Sequence, residues 1–155
     1  MRIAIIIHSK SGNSYRCGLQ IQAGLTALGH AIDLIRIKAD GDQAMDPSLV
    51  TIKNLPDISS YEGLVFGAPV RAFAASAVIR ATINALPNFD QRPVYCFVSQ
   101  FFPFASMGGR KALDEMLAAC QAKGGHPTAG PIINWTSPRR NRRIQTLMEH
   151  CCKAF

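Results

Sequence analysis

The sequence predicts a single α/β domain over residues 1–155: a five-stranded parallel sheet in the order 2-1-3-4-5, with helices on both faces. Three observations predict it. Short unbroken apolar runs recur along the chain, as in strands covered on both faces. After the strands come stretches with apolar residues at helical spacing. The alternation of strand and helix passes five times without a repeat, a low-complexity tract or a linker. At 48% hydrophobic and 17% charged residues, the chain has the composition of a globular domain and the length for a sizeable core.

Each element follows from its residues. Ile3-Ala4-Ile5-Ile6-Ile7 reads as a central parallel strand. A first helix is expected from about Asn13 to Leu28, with Cys17, Ile21, Leu25 and Leu28 as its buried stripe and Gly29 as its C′ residue. Ile32 to Ile37 alternates and carries charge on one side, as an edge strand does. Lys38 to Tyr61 is the least regular part; a short helix is placed at Pro47 with Asp46 as cap. Leu64 to Gly67 is the third strand, Ala68 to Phe73 a loop, and Ala75, Ile79, Ile83 and Leu86 the face of the next helix.

Pro93 to Ser99 is the fourth strand, followed by a phenylalanine-rich loop from Gln100 to Met107. Gly108 to Lys123 is helical, with Leu113, Met116, Leu117 and Cys120 facing inward, and Gly124-Gly125 stops it. Gly130 to Trp135 is the fifth strand. Ser137 and Pro138 are read as cap and first residue of the last helix, whose stripe is Ile144, Leu147, Met148 and Cys151.

Composition narrows the function. No apolar run approaches the roughly 20 residues that span a bilayer, and the run at the start is too short for a signal-peptide core. A cytoplasmic protein with no membrane partner is expected. The five cysteines are odd in number, and with the four histidines they follow no disulfide or metal spacing, so no metal is assigned. The net charge of +7 points to an anionic ligand or partner. Nucleic acid is the weaker option, because no recognition motif accompanies the charge.

The first strand ends in His8-Ser9-Lys10-Ser11-Gly12-Asn13-Ser14 and turns into a helix. Hydroxyls and the free N–H groups of a first helical turn converge there, which is a ready anion site. The plain alternative is an ordinary loop in which Ser9 or Ser11 caps the helix. His8 is given no role, packing being the commoner fate of a lone histidine. There is no G-x-x-x-x-G-K-[ST] and no G-x-G-x-x-G, so neither a P-loop nor a dinucleotide fingerprint is present.

Ser9-Lys10-Ser11-Gly12-Asn13-Ser14 resembles the [ST]-x-[ST]-G-[NT]-[ST] phosphate loop of the flavodoxin family, which wraps the phosphate of flavin mononucleotide (FMN). The resemblance implies a three-layer flavodoxin-like fold with its ligand at the switch point between the first and third strands. Tyr61-Glu62-Gly63-Leu64-Val65-Phe66-Gly67-Ala68-Pro69-Val70-Arg71 is similar to a second stretch, in flavodoxin-like NAD(P)H:quinone reductases. By that resemblance Pro69, Val70, Arg71 and Phe73 face the polar edge of the flavin ring, where a cation stabilises the charge of the reduced form. A solvated loop charge is the alternative for Arg71. Ser99, Gln100 and Phe101 open the fourth loop and complete the expected cofactor set. One phenylalanine there stacks on the ring; a folded-back cluster or a subunit contact, hence a homo-oligomer, is the other reading.

Two other classes with this topology are disfavoured. Receiver domains need an acidic pair after the first strand and an aspartate after the third, where this chain has His8-Ser9 and Gly67-Ala68. Low-molecular-weight phosphatases need C-x₅-R, and the position six before Arg16 is Lys10.

Arg139, Arg140, Arg142 and Arg143 begin the last helix, where cations oppose the helix dipole. They are read as drawing an anionic partner to the site, either NAD(P)H or an acidic redox protein; a solubility patch is the plain alternative. The expected function is an FMN-dependent oxidoreductase that passes electrons from NAD(P)H to a quinone or similar small acceptor. It needs no catalytic side chain, because the flavin carries the chemistry. A protein-to-protein electron carrier is the first alternative, though carriers of the resembled family are typically acidic. A binding module without flavin is the second.

Overall fold

The computed structural model describes all residues, 1–155. Its elements in chain order are β1 (Arg2–Ile7), α1 (Asn13–Ala27), β2 (Ala31–Arg36), β3 (Ala39–Asp40), a 3₁₀ turn (Pro47–Leu49), β4 (Thr51–Ile52), β5 (Gly63–Arg71), β6 (Ala74–Ala75), α2 (Ala77–Ala85), β7 (Pro93–Gln100), α3 (Gly109–Ala122), β8 (His126–Asn134) and α4 (Arg140–Cys152). The five long strands pair in parallel in the order β2-β1-β5-β7-β8. That is the expected 2-1-3-4-5 arrangement, with its switch point between β1 and β5.

The sheet divides the core into two apolar layers. Ile3, Ile5 and Ile7 point to one face, with Cys17, Ile21 and Leu25 of α1 and Ile144, Leu147 and Cys151 of α4. Ala4 and Ile6 point to the other, with Val78, Ile79 and Ile83 of α2 and Leu113, Met116 and Cys120 of α3. The alternation along β1 feeds both layers, so β1 must be apolar throughout. Burial raises the thiol of Cys17 to about 12, so it behaves as a small apolar side chain.

Several expectations need correction. Leu28 does not join the stripe of α1; the helix ends at Ala27 and Leu28 is exposed. The connection from β2 to β5 does hold a short helix at Pro47, but it is a single 3₁₀ turn beside the β3–β4 pair, so there are four α-helices. Asp46 does cap that turn, accepting from the Ser48 N–H at 2.9 Å. Ala68 to Phe73 is not a loop. β5 runs on to Arg71 and folds back through Ala72 and Phe73 onto β6. Ala72 and Phe73 both have positive φ (47° and 63°), as a two-residue hairpin turn requires. Ala75 therefore sits in β6, still buried, and α2 is capped by Ser76. β8 begins at His126, four residues ahead of Gly130. Ser137 and Pro138 form a turn before α4, and the Ser137 hydroxyl accepts from the Arg139 N–H at 3.1 Å.

Candidate functional site

Three chain segments meet at the carboxyl end of the sheet. The first is the loop from β1 into α1. Gly12 precedes the helix with φ of 91°, and no side chain caps it. The hydroxyls of this loop are thus not consumed by the helix end, which removes the plain capping reading. Ser9 Oγ is buried and has no hydrogen-bond partner. The Ser9 carbonyl instead accepts from the guanidinium of Arg36 at the end of β2 (Nε at 3.0 Å, and Nη2). That guanidinium also lies over the Tyr15 ring, at 5.5 Å from its centroid.

The second segment is the end of β5. Pro69, Val70 and Arg71 are half-buried, and the Arg71 guanidinium donates to the Asp42 carbonyl at 2.6 Å and to Gln43 Oε1 at 3.3 Å. The third is the end of β7, where Ser99 and Gln100 are buried. Ser14 Oγ and Ser99 Oγ are 2.8 Å apart and join the first segment to the third.

These segments enclose a cleft of about 310 Å³ lined by Ser9, Lys10, Ser11, Asn13, Ser14, Pro69, Val70, Arg71, Ser99, Gln100 and Phe101. Of the residues singled out from the sequence, Gly12 and Phe73 do not line it. Gly12 turns the backbone into α1. Phe73 lies at the hairpin tip, exposed and parallel to Phe102, with centroids 6.4 Å apart and planes 8° apart. No carboxylate lines the cleft, and the free N–H end of α1 opens towards it, so its field favours an anion.

Gln100 stands between this cleft and a second cavity of about 380 Å³, which Arg110, Asn134, Ser137 and Arg143 help to line. Its Nε2 donates to the carbonyls of Phe102 and Phe104, at 2.8 Å each, while its Oε1 has no partner.

The four arginines at the start of α4 do not act alike. Arg139, Arg142 and Arg143 are exposed. Arg140 is half-buried; it donates to the Trp135 carbonyl at 2.9 Å and lies over the Trp135 ring, which also receives Arg16. None of the four lines the first cleft; Arg143 reaches the adjoining cavity. None pairs with a carboxylate, and nor do Lys10, Arg36, Arg71 or Arg110; the ion pairs lie elsewhere, at Arg2–Asp33, Lys53–Asp40, Arg92–Asp90 and Lys111–Glu115.

One feature, Arg36, was missed from the sequence, and the packing of His8, as read, has a partner the sequence did not show. Arg36 closes an alternating edge strand and carries no signal beyond its charge. His8 is buried, with Nδ1 2.8 Å from Ser76 Oγ at the start of α2. Burial, and then the positive charge of Arg71, lowers its pKa to about 4, so it is neutral at pH 7.

No protein-family model and no curated protein matches the sequence. Solved structures do match over nearly the whole chain. Flavodoxin 1 from Bacillus cereus superposes with a TM-score of 0.71 at 12% identity, covering 99% of this chain and 97% of that one. The flavodoxin of Megasphaera elsdenii gives 0.70 at 18% identity, covering 97% and 98%. A WrbA-like flavodoxin from Agrobacterium tumefaciens gives 0.70 at 13% identity, covering 99% and 94%. The chain shares the flavodoxin fold, from end to end, at identities that speak for the fold alone.

Proposed function

We propose that this chain, built on the flavodoxin fold, is an FMN-binding flavoprotein that passes electrons from NAD(P)H to a quinone or similar small acceptor. The observation that carries the reading is the convergence of Ser9 to Ser14, Pro69 to Arg71 and Ser99 to Phe101 on one carboxylate-free cleft at the switch point of the sheet. The residues fit the cofactor. Ser9 Oγ is a buried hydroxyl without a partner, and the uncapped end of α1 supplies N–H groups for a phosphate.

Each segment then has a task. Ser9, Ser11 and Ser14, with the first turn of α1, hold the phosphate. Pro69, Val70 and Arg71 hold the polar edge of the ring, and the Asp42 carbonyl and Gln43 fix the Arg71 guanidinium in position. Phe101 provides an apolar wall. Bound flavin supplies the redox chemistry, so the protein needs only to bind, orient and neutralise charge. The arginines at the start of α4, which pair with no carboxylate, suit an anionic partner, either NAD(P)H or an acidic redox protein.

The test is direct. The purified protein should show the visible absorption bands of oxidised flavin, or its apo form should quench FMN fluorescence with an affinity of about micromolar or better. NAD(P)H consumption with an added quinone then separates a reductase from a carrier. A protein that binds neither FMN nor FAD would overturn the reading.

A further inference from the structure

Four of the eight phenylalanines stand more than half exposed: Phe73 (58%), Phe101 (58%), Phe102 (52%) and Phe104 (66%). Three come from one loop, and the fourth stacks on it from the β5–β6 hairpin. An exposed apolar group of this size marks a contact surface. The backbone of the loop says which kind. The Phe101 carbonyl accepts from Thr136 Oγ1 at 2.9 Å, and the Phe102 and Phe104 carbonyls accept from Gln100 Nε2 at 2.8 Å. The Ala105 carbonyl accepts from the Arg110 N–H at 3.0 Å. Held within the chain, these four carbonyls add no bare acceptor to the surface, and a bare carbonyl is costly in an apolar medium.

Cations flank the loop. Lys10 shares the first cleft with Phe101, and Arg110 and Arg143 share the second cavity with Pro103 and Ala105. No acidic residue lines either space. Rings that offer only hydrocarbon, with four carbonyls of their loop held within the chain and unpaired cations beside the loop, suit an anionic lipid surface. Protein interfaces draw more on tyrosine, tryptophan and other directional contacts.

We infer that the Phe101–Phe104 loop, together with Phe73, docks this protein onto an anionic bilayer. The rings enter the boundary of headgroups and acyl chains, and Lys10, Arg110 and Arg143 meet lipid phosphates. No helix is long and apolar enough to cross a membrane, so the contact is peripheral. Phe73, Phe102 and Phe104 do not line the cleft, so the inference stands apart from the flavin reading. Taken with that reading, it sets the Phe101 wall of the cleft against the medium in which lipophilic acceptors dissolve.

The experiment is co-sedimentation of the full chain with vesicles of phosphatidylcholine, with and without about one third phosphatidylserine. Binding should be about tenfold or more tighter to the anionic vesicles and should fade with salt. Phe102→Ser with Phe104→Ser should weaken it about tenfold or more at unchanged charge. Arg110→Glu with Arg143→Glu should abolish it. Circular dichroism checks the fold of each variant, and Phe102→Ser alone is the milder substitute. A phenylalanine variant that binds like the wild type would reduce the effect to bare charge adsorption and overturn the inference. Absence of vesicle binding would overturn it too, whether or not an acidic protein or a second copy of the chain takes the patch. FMN titration of the same samples reports separately on the flavin reading.

Discussion

Ser14 Oγ and Ser99 Oγ meet at 2.8 Å, both buried, one in the first turn of α1 and the other near the end of β7. This bond ties the start of α1 to the end of β7 beside the cleft. Removing one partner leaves the other buried and unpaired, which costs about 1–3 kcal/mol; removing both is milder. Ser14→Ala should therefore lower Tm and weaken FMN binding. The Ser14→Ala, Ser99→Ala pair should recover part of the stability but not the affinity. Thermal unfolding and flavin titration of the three variants check this.

Gly12 and Gly108 both have positive φ, 91° and 109°, yet they should respond differently to alanine. A Cβ at Gly12 meets nothing within 4 Å, so Gly12→Ala should cost about 1 kcal/mol, from backbone conformation alone. A Cβ at Gly108 would lie 2.6 Å from Phe73 Cα, which cannot yield without moving the hairpin. Gly108→Ala should cost about 3 kcal/mol or more. Denaturant unfolding of the two variants gives the ranking.

His8 makes stability depend on pH. Its pKa falls from 6.5 to about 4 on folding, chiefly through burial. Between those values the unfolded chain binds more protons than the native one, so stability rises with pH through this window and is lost as pH falls through it. The whole shift is worth about 3 kcal/mol. His8→Gln should flatten this limb while keeping a hydrogen-bonding partner for Ser76. Urea unfolding at a series of pH values is the measurement.

Charge reversal at Arg139, Arg142 and Arg143 should raise KM for NADPH about tenfold, or slow association with an acidic redox protein, and the effect should shrink with salt. Arg140→Glu should in addition destabilise the fold, since Arg140 holds the Trp135 carbonyl and covers its ring. Steady-state kinetics at two ionic strengths, set beside Tm, separate the two effects. Unchanged kinetics in all four variants would leave the cluster a solubility patch.

Much of this architecture was legible because burial on both faces writes itself as uninterrupted apolar runs. Ile3 to Ile7 and Leu64 to Gly67 declared two neighbouring strands, and the glycines at positions 29 and 124 declared the ends of the helices before them. The cleft segments were legible because small hydroxyl residues at a strand end have few other uses. The hairpin at Ala72-Phe73 was not, since neither residue favours positive φ and the usual Asn-Gly signal is missing. Tertiary packing against Gly108 holds that turn, and packing leaves no local trace. The burial of Ile58 and Tyr61 was hidden for the same reason, since they complete the layer from irregular chain between β2 and β5. Nor could His8 be paired with Ser76, 68 positions away, before the sheet was known.

Gln100 has spent both hydrogens of its amide on the phenylalanine loop and kept its oxygen unspent. The chemistry of an occupant therefore decides the posture of the loop. A ligand that donates a hydrogen bond to Oε1 leaves the loop tethered, whereas one that accepts from Nε2 must take that hydrogen from Phe102 or Phe104 and set the carbonyl free. Loop and cleft thus exert equal influence on each other: whatever loosens the loop alters affinity in the cleft by the same factor that the occupant alters the loop.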